Sequence, residues 1–489
     1  MRKPLIRPAY QMLSDSDINT IHEKALVILE KAGVYIDSRE ALELLEKAGC
    51  SVDFPRKMAR FPRDLVERSL GKAPGSIIMY DRQGSEAARL EGNNVHFDPG
   101  SCGVRFQASD GQTVDSCSQH LAAVARLTEH LENLALQSTA ITAGDVPKEI
   151  ADTYRLYIVL RNCHKPVITG AFSVHGVTDM KDLLAAVRGG QSNLEEQPLA
   201  VFDICPSPPL KWTHISAQNI IDCARLGLPM EFVSMPMPGA ASPATLAGSI
   251  LVHTAETLSG LTLAQVARPG APVIWGGAPV VFDMKSGTTP MSAVEATMIG
   301  VGSCQMGKAY GLPTHTYACL SDSKVVDTQA GLETATGGMA AALAGINVIS
   351  GPGMLDFVGT FSLEKLVIDN EICGMALRLA SGVQLDEETL AQDLIQSLGP
   401  GGDYLKTAHT RKWFRREVYM PGPTVDRHDR RTWEEAGALT SLDTAKAQVE
   451  KLLERPTPRI DEETSGSLDA AMARVKSRYS LGSLPLGPS

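Results

Sequence analysis

Hydrophobic and polar positions along the chain follow first one period and then another. After the polar cluster Ser14-Asp15-Ser16-Asp17, the residues Ile18, Ile21, Ala25, Ile28 and Leu29 fall on one face at helical spacing, which predicts a capped helix. Residues 41–48 and 62–70 repeat the pattern, so three helices make an N-terminal subdomain with no evident chemistry. Two short apolar runs, 77–80 and 88–90, bracket Arg82-Gln83-Gly84-Ser85 and predict a hairpin that leads into Asn94-Val95-His96-Phe97-Asp98.

From there strand-like runs alternate with helix-length segments. Residues 95–98, 134–141, 166–172, 199–205, 229–235, 272–277, 313–319 and 347–350 read as strands, with helices expected at 152–160, 177–188 and 246–267 among others. About eight βα units over roughly 250 residues have the size and period of a (β/α)8 TIM barrel. An open doubly wound sheet competes, but no strand is followed by a G-x-G-x-x-G turn. The expected division is an N-terminal subdomain over 1–93, an α/β barrel over 94–382 and a C-terminal helical extension over 383–489. The extension should hold helices at 386–397, 444–453 and 467–477, with a break at Gly399-Pro400-Gly401-Gly402.

The stretch 313–356 is the densest in polar residues at strand ends. A short strand runs into Ser321-Asp322-Ser323-Lys324, a small-residue helix follows Asp327, and a further strand ends on Ser350-Gly351-Pro352-Gly353. Loops at the C-terminal ends of parallel strands carry chemistry. The plainer reading is that Ser321, Asp322 and Asp327 only start the helix, since Ser and Asp accept backbone N–H bonds there.

Composition narrows the function classes. The chain has 489 residues, a net charge of −10 and 43% hydrophobic content, which suits a globular protein of one large domain or two and leaves room for a homo-oligomer. Its acidity argues against nucleic acid, and the basic run His409 to Arg416 reads as a solvated face or a docking surface. Nine scattered cysteines without a CxxC pair, and no secretory signal after Met1-Arg2-Lys3-Pro4, predict reduced thiols in the cytoplasm. No apolar run is long enough to predict a membrane span.

Strand alternation then selects candidate cavity residues. His315, Tyr317 and Cys319 share one face, as do His96 with Asp98, Asp203 with Cys205, Val273 with Trp275, and Val233 with Met235; these faces are expected to point inward. Phe172, Phe202 and Phe232 are read as helix-facing core. His96 and His315 read equally well as hydrogen-bonded core histidines, and Trp275 as a packing tryptophan. With Asp98, Asp203, Trp275 and Tyr317 at the mouth, two carboxylates and two aromatics would surround a quaternary ammonium.

At this point the sequence resembles the trimethylamine methyltransferase family, in its branch without pyrrolysine that includes glycine betaine methyltransferases. The matching pieces are Leu13-Ser14-Asp15 leading to Leu29-Glu30-Lys31-Ala32-Gly33-Val34, the segment 95–103, Ser321-Asp322-Ser323-Lys324 with Asp327, Gln329, Ala330, Gly331 and Glu333, Ala344-Gly345-Ile346-Asn347 with 351–355, and Glu364-Lys365-Leu366-Val367 with Asp369-Asn370-Glu371. The resemblance implies a (β/α)8 barrel that moves a methyl group from a methylated amine to the Co(I) of a separate corrinoid protein. The founding members carry pyrrolysine, whereas this chain is written wholly in standard residues, which turns the expected substrate from trimethylamine toward a betaine-like quaternary amine.

On that expectation Trp275 and Tyr317 hold the cation, Asp98 and Asp203 balance its charge, and His315 or Lys324, with Ser350 nearby, meets a substrate carboxylate. The cobalamin is expected on the partner, because the chain lacks Asp-x-His-x-x-Gly; Asp426-Arg427-His428-Asp429-Arg430-Arg431 has Arg at the glycine position. Other readings are a zinc-dependent methyltransferase or hydrolase using His315 and Cys319 with Asp203 or Cys205, and a phosphate-binding barrel using Ser350 to Gly353. A non-catalytic subunit of a larger complex is a third.

Overall fold

The computed structural model describes residues 9–485, so the expectation about Met1 to Pro4 lies outside the described residues. Eight parallel strands organise the molecule: β1 (His96–Asp98), β2 (Gln137–Ser138), β3 (Val167–Thr169), β4 (Ala200–Ile204), β5 (Met230–Ser234), β6 (Val273–Gly277), β7 (His315–Tyr317) and β8 (Val348–Ser350). Each falls inside a run read as a strand. They do not form one continuous sheet. The hydrogen-bonded order is β6-β5-β4-β3-β2 in one arc and β7-β8-β1 in the other. Between the arcs, Trp275 N donates to Pro313 O at 2.8 Å and Leu136 N to Phe97 O at 3.3 Å.

Helices follow the strands where the period predicted them, including Ala151–Asn162, Gly176–Arg188 and Leu246–Ala267. The last is 22 residues long and buried on most sides, because Asp15–Lys31 and the neighbouring helices pack around it. The helix expected at 386–397 is interrupted at Ala391, whose φ is 49°, and forms two pieces, Glu387–Leu390 and Gln392–Leu398. Farther on, Ser441–Leu453 and Glu462–Arg478 pack back on the helices that follow the parallel strands, where Tyr157 donates to Asp469 at 2.6 Å.

The hairpin of Ile77–Tyr80 and Glu86–Leu90 has a specific place. Its Ile77, Met79, Ala88 and Leu90 form one apolar cluster with Leu136, Ile168, Val201, Ile274 and Val348, inward residues from the N-terminal halves of five strands or their approaches. The hairpin is therefore a floor, and room is left only above it. A second small sheet, in the order Met354–Leu355, Thr360–Ser362, Arg105–Gln107 and Thr113–Asp115, ties the loop after β8 to the loop after β1. Its strands of two or three residues are too short for periodicity to reveal.

Candidate active site

Two residues above the floor the same inward faces turn polar. Ser350 at the end of β8 donates to Asp98 Oδ1 at 2.6 Å, and His315 Nε2 lies 2.9 Å from Ser350 Oγ. His315 Nδ1 is 2.7 Å from Glu231 Oε1, and Glu231 lies opposite Asp203 in the β4–β5 register. A chain of polar groups, Asp98, Ser350, His315, Glu231 and Asp203, thus crosses the interior. Gly276 makes room for it, since a Cβ there would lie 2.8 Å from Glu231 Cγ and 3.1 Å from His315 Nδ1.

Burial controls the charge of this layer. It pushes Asp98 up to about 8, against the opposing pull of His315 and Ser350, and it pushes Glu231 up to about 8 as well. Asp203 is raised well above the ordinary carboxyl range by burial and then by Glu231 beside it, while burial lowers His315. Burial thus favours the protonated forms of Asp98, Glu231 and Asp203 and the neutral form of His315. Asp98 Oδ2 and Asp203 Oδ1 are buried without a hydrogen-bond partner.

A cavity of about 100 Å³ sits on this layer, just beyond the strand ends, and Asp203, Tyr317, Ser101, Arg155, Phe172 and Met235 are among its walls. Tyr317 shares a 2.7 Å hydrogen bond with Ser101 Oγ and packs edge-on against His315. Its volume is below the roughly 300–1,000 Å³ of drug-sized sites and suits a small molecule.

Several expected placements are corrected. Trp275 points away from the cavity: its Nε1 donates to Ser303 O at 2.9 Å, and the ring packs on Tyr310 and His253 among the helices. The face assignment was inverted, because Ile274 and Gly276 are the inward residues of β6. Phe172, read as core, is 54% exposed and lines the cavity, whereas Phe202 and Phe232 are buried. Lys324 is at the outer rim, where Nζ donates to Asp322 O at 2.7 Å and lies 4.0 Å from the centre of the Phe357 ring. Ser350 is committed to Asp98 and His315, and Gly353 N–H already donates to Asp369 at 2.8 Å, so the loop 350–353 offers a phosphate little.

Cys319 lies past the end of β7, where alternation no longer holds, and its Sγ is 3.9 Å from Cys373 Sγ instead of facing His315. Among the described residues no group of three or more His, Cys, Asp or Glu could hold a metal. The cluster after β7 is scaffolding. Asp327 caps the helix Thr328–Leu343 through Ala330 N, while Asp322 accepts from Met291 N and Ser292 N and so fixes a loop whose Met291 lines the cavity. Asp426 and His428 pair with each other at 2.9 Å on the surface.

Sequence reasoning missed Glu231 and Arg155. A lone Glu inside the apolar strand Met230–Ser234 was a readable signal. Arg155, on the helix Ala151–Asn162, gave none, since nothing in a helix period tells which turn overhangs a cavity.

The arrangement is an α/β fold with a small cavity at the ends of its parallel strands. Residues 3–480 match the sequence profile described as trimethylamine methyltransferase (MTTB), and the chain belongs to that family and is a methyltransferase. It is 31% identical over 470 residues to trimethylamine methyltransferase MttB of Desulfitobacterium hafniense, covering 95% of this chain and 94% of the relative. It is 32% identical to a glycine betaine methyltransferase of the same species, covering 96% of this chain and 97% of that one. The monomethylamine methyltransferase MtmB of Methanosarcina barkeri superposes with a TM-score of 0.55 at 11% identity, covering 96% of this chain and 88% of that chain, and so shares its fold. Among the described residues no helix is long and apolar enough to cross a membrane.

Proposed function

We propose that this chain takes a methyl group from a small quaternary amine of the betaine type and passes it to the Co(I) of a corrinoid held by a separate protein. The observation that carries the reading is the cavity of about 100 Å³ resting on a layer of buried acids. The eight strands are taken as a closed barrel, an inference supported by the bonds from Trp275 to Pro313 and from Leu136 to Phe97 that span the two arcs.

The leaving-group chemistry favours a quaternary donor. Loss of a methyl cation from a quaternary nitrogen leaves a neutral tertiary amine, so no proton has to be delivered to it. Trimethylamine in its neutral form would leave as an amide anion, and this chain has only standard residues with which to prevent that. The corrinoid's Co(I), when present, supplies the nucleophile.

The chain's own residues bind and orient. Tyr317, Phe172 and Met235 offer aromatic and sulfur surface to the methyl groups, and the apolar floor keeps water from below. Asp203 meets the positive nitrogen, with Glu231, His315, Ser350 and Asp98 behind it. An arriving cation favours the ionised form of a carboxyl, so the layer gives up a proton as the site fills. The substrate is held with one N-methyl toward the open end, in line for transfer. Mixing the protein with reduced corrinoid protein and a panel of methylated amines, and following the cobalt spectrum, tests the reading: quaternary amines should methylate the cobalt, and activity with trimethylamine alone would overturn it.

A further inference from the structure

Arg155 is the one feature of the cavity that a bare quaternary ammonium does not explain. Its guanidinium is buried at 2% exposure and lines the cavity 4.7 Å from the centre of the Phe172 ring. Among the described residues its sole hydrogen bond is from Nη1 to Thr142 Oγ1 at 3.3 Å, and Nε is buried without a partner. A guanidinium has five N–H donors and stays charged, so burying one with so few acceptors is expensive.

The neighbouring acids do not fill that need. Asp152, a turn away, is committed to Phe172 N at 2.7 Å and to Thr153 N at 2.7 Å. Asp203 lies opposite Glu231 and is held toward its neutral form by burial, and Cys102 and Tyr317 are the other titratable groups facing the guanidinium. The guanidinium therefore has donors to offer an anion small enough for the cavity.

We propose that Arg155 is the residue that receives the carboxylate of a betaine-type substrate in this cavity. The inference rests on the betaine-type reading and assigns the residue that holds the anionic end of the substrate. It also replaces His315 and Lys324 as carboxylate receivers: the first is bound into the acid layer, and the second lies at the outer rim. Within the cavity the two substrate ends are sorted by charge, the ammonium toward Asp203 and the carboxylate toward Arg155. A guanidinium can grip a carboxylate through two parallel N–H bonds, which fixes the direction in which the methyl groups point.

The test uses three probes on the full chain: glycine betaine, its methyl ester, which keeps the cation and loses the anion, and 3,3-dimethylbutanoate, which keeps the carboxylate and has carbon in place of nitrogen. In the wild-type protein kcat/KM for glycine betaine should exceed that for the ester by roughly 30-fold or more, the range for breaking a buried charged pair. In Arg155→Gln the two should come within about three-fold of each other, and Arg155→Lys should restore part of the difference. 3,3-Dimethylbutanoate should raise the melting temperature of the wild type and not that of Arg155→Gln.

Equal use of ester and zwitterion by the wild type, or a preference that survives in Arg155→Gln, would overturn the assignment. If Arg155→Gln does not fold, Arg155→Lys carries the same comparison: a smaller preference for zwitterion over ester than in the wild type upholds the assignment, and an unchanged preference overturns it. Binding of 3,3-dimethylbutanoate needs no methyl transfer. Arg155-dependent binding without cobalt methylation by any amine would uphold the anion site and count against the quaternary-amine reading alone.

Discussion

The floor of the strand interior and the layer directly above it are built from the same strands and share almost nothing chemically. Val201, Ile274 and Val348 lie in the floor, packed on the hairpin; two residues on, Asp203, Gly276 and Ser350 belong to the polar layer. Successive inward positions of a strand are two residues apart, so one step along the chain separates a surface that needs no partners from one that must satisfy every polar atom. The lower layer supplies packing and keeps water out. The upper layer holds raised carboxyls and unpaired oxygens, the groups on which the proposed cation would rest.

The largest effect should come from carrying the upper chemistry down one step. Val201→Asp puts a carboxyl against Ile77, Met79 and Leu90 with nothing to pair it, and it should cost about 3–5 kcal/mol in urea unfolding. The reverse manipulation, removing charge capacity from the upper layer, should spare the fold and damage the chemistry. Asp203→Asn is expected to lower kcat/KM for a quaternary amine by roughly 30-fold or more with a melting temperature equal to or above that of the wild type.

A third way to sharpen the contrast is pH. In the folded chain Asp98 and Glu231 keep their protons up to about 8, whereas exposed carboxyls in the unfolded chain release theirs near 4. Between those limits the folded state binds more protons at these two groups, so their contribution to stability is present at low pH and lost as pH rises toward about 8. Glu231→Gln removes one such group. Its stability should therefore improve relative to the wild type as pH is raised through that window, as read by urea melts at several pH values. The smallest effect is expected outside both layers: Trp275→Phe loses the bond to Ser303 O and should cost about 1–2 kcal/mol while leaving methyl transfer unchanged.

Much of this organisation was legible in the chain. Short apolar runs bounded by turns located all eight strands, and the polar residues at their ends pointed to Asp98, Asp203, His315 and Tyr317 as neighbours of one interior. Facing was harder. A parallel strand is buried on both sides, so Val273-Ile274-Trp275-Gly276 carries no polar residue to mark the inner face, and the size of the tryptophan suggested the wrong one. Phe172 was misread for a related reason: β3 ends at Thr169, and three residues later strand alternation no longer governs direction. Arg155 depends on how a helix is set against a loop, a tertiary fact with no local pattern.

The central claim is that the acid layer is neutral while the cavity is empty and gives up a proton when a cation enters. Calorimetric titration of glycine betaine at neutral pH, repeated in two buffers of different ionisation enthalpy, measures that proton directly. The account predicts release of up to one proton per ligand bound, much reduced in Asp203→Asn. Binding with no proton release in the wild type would contradict it.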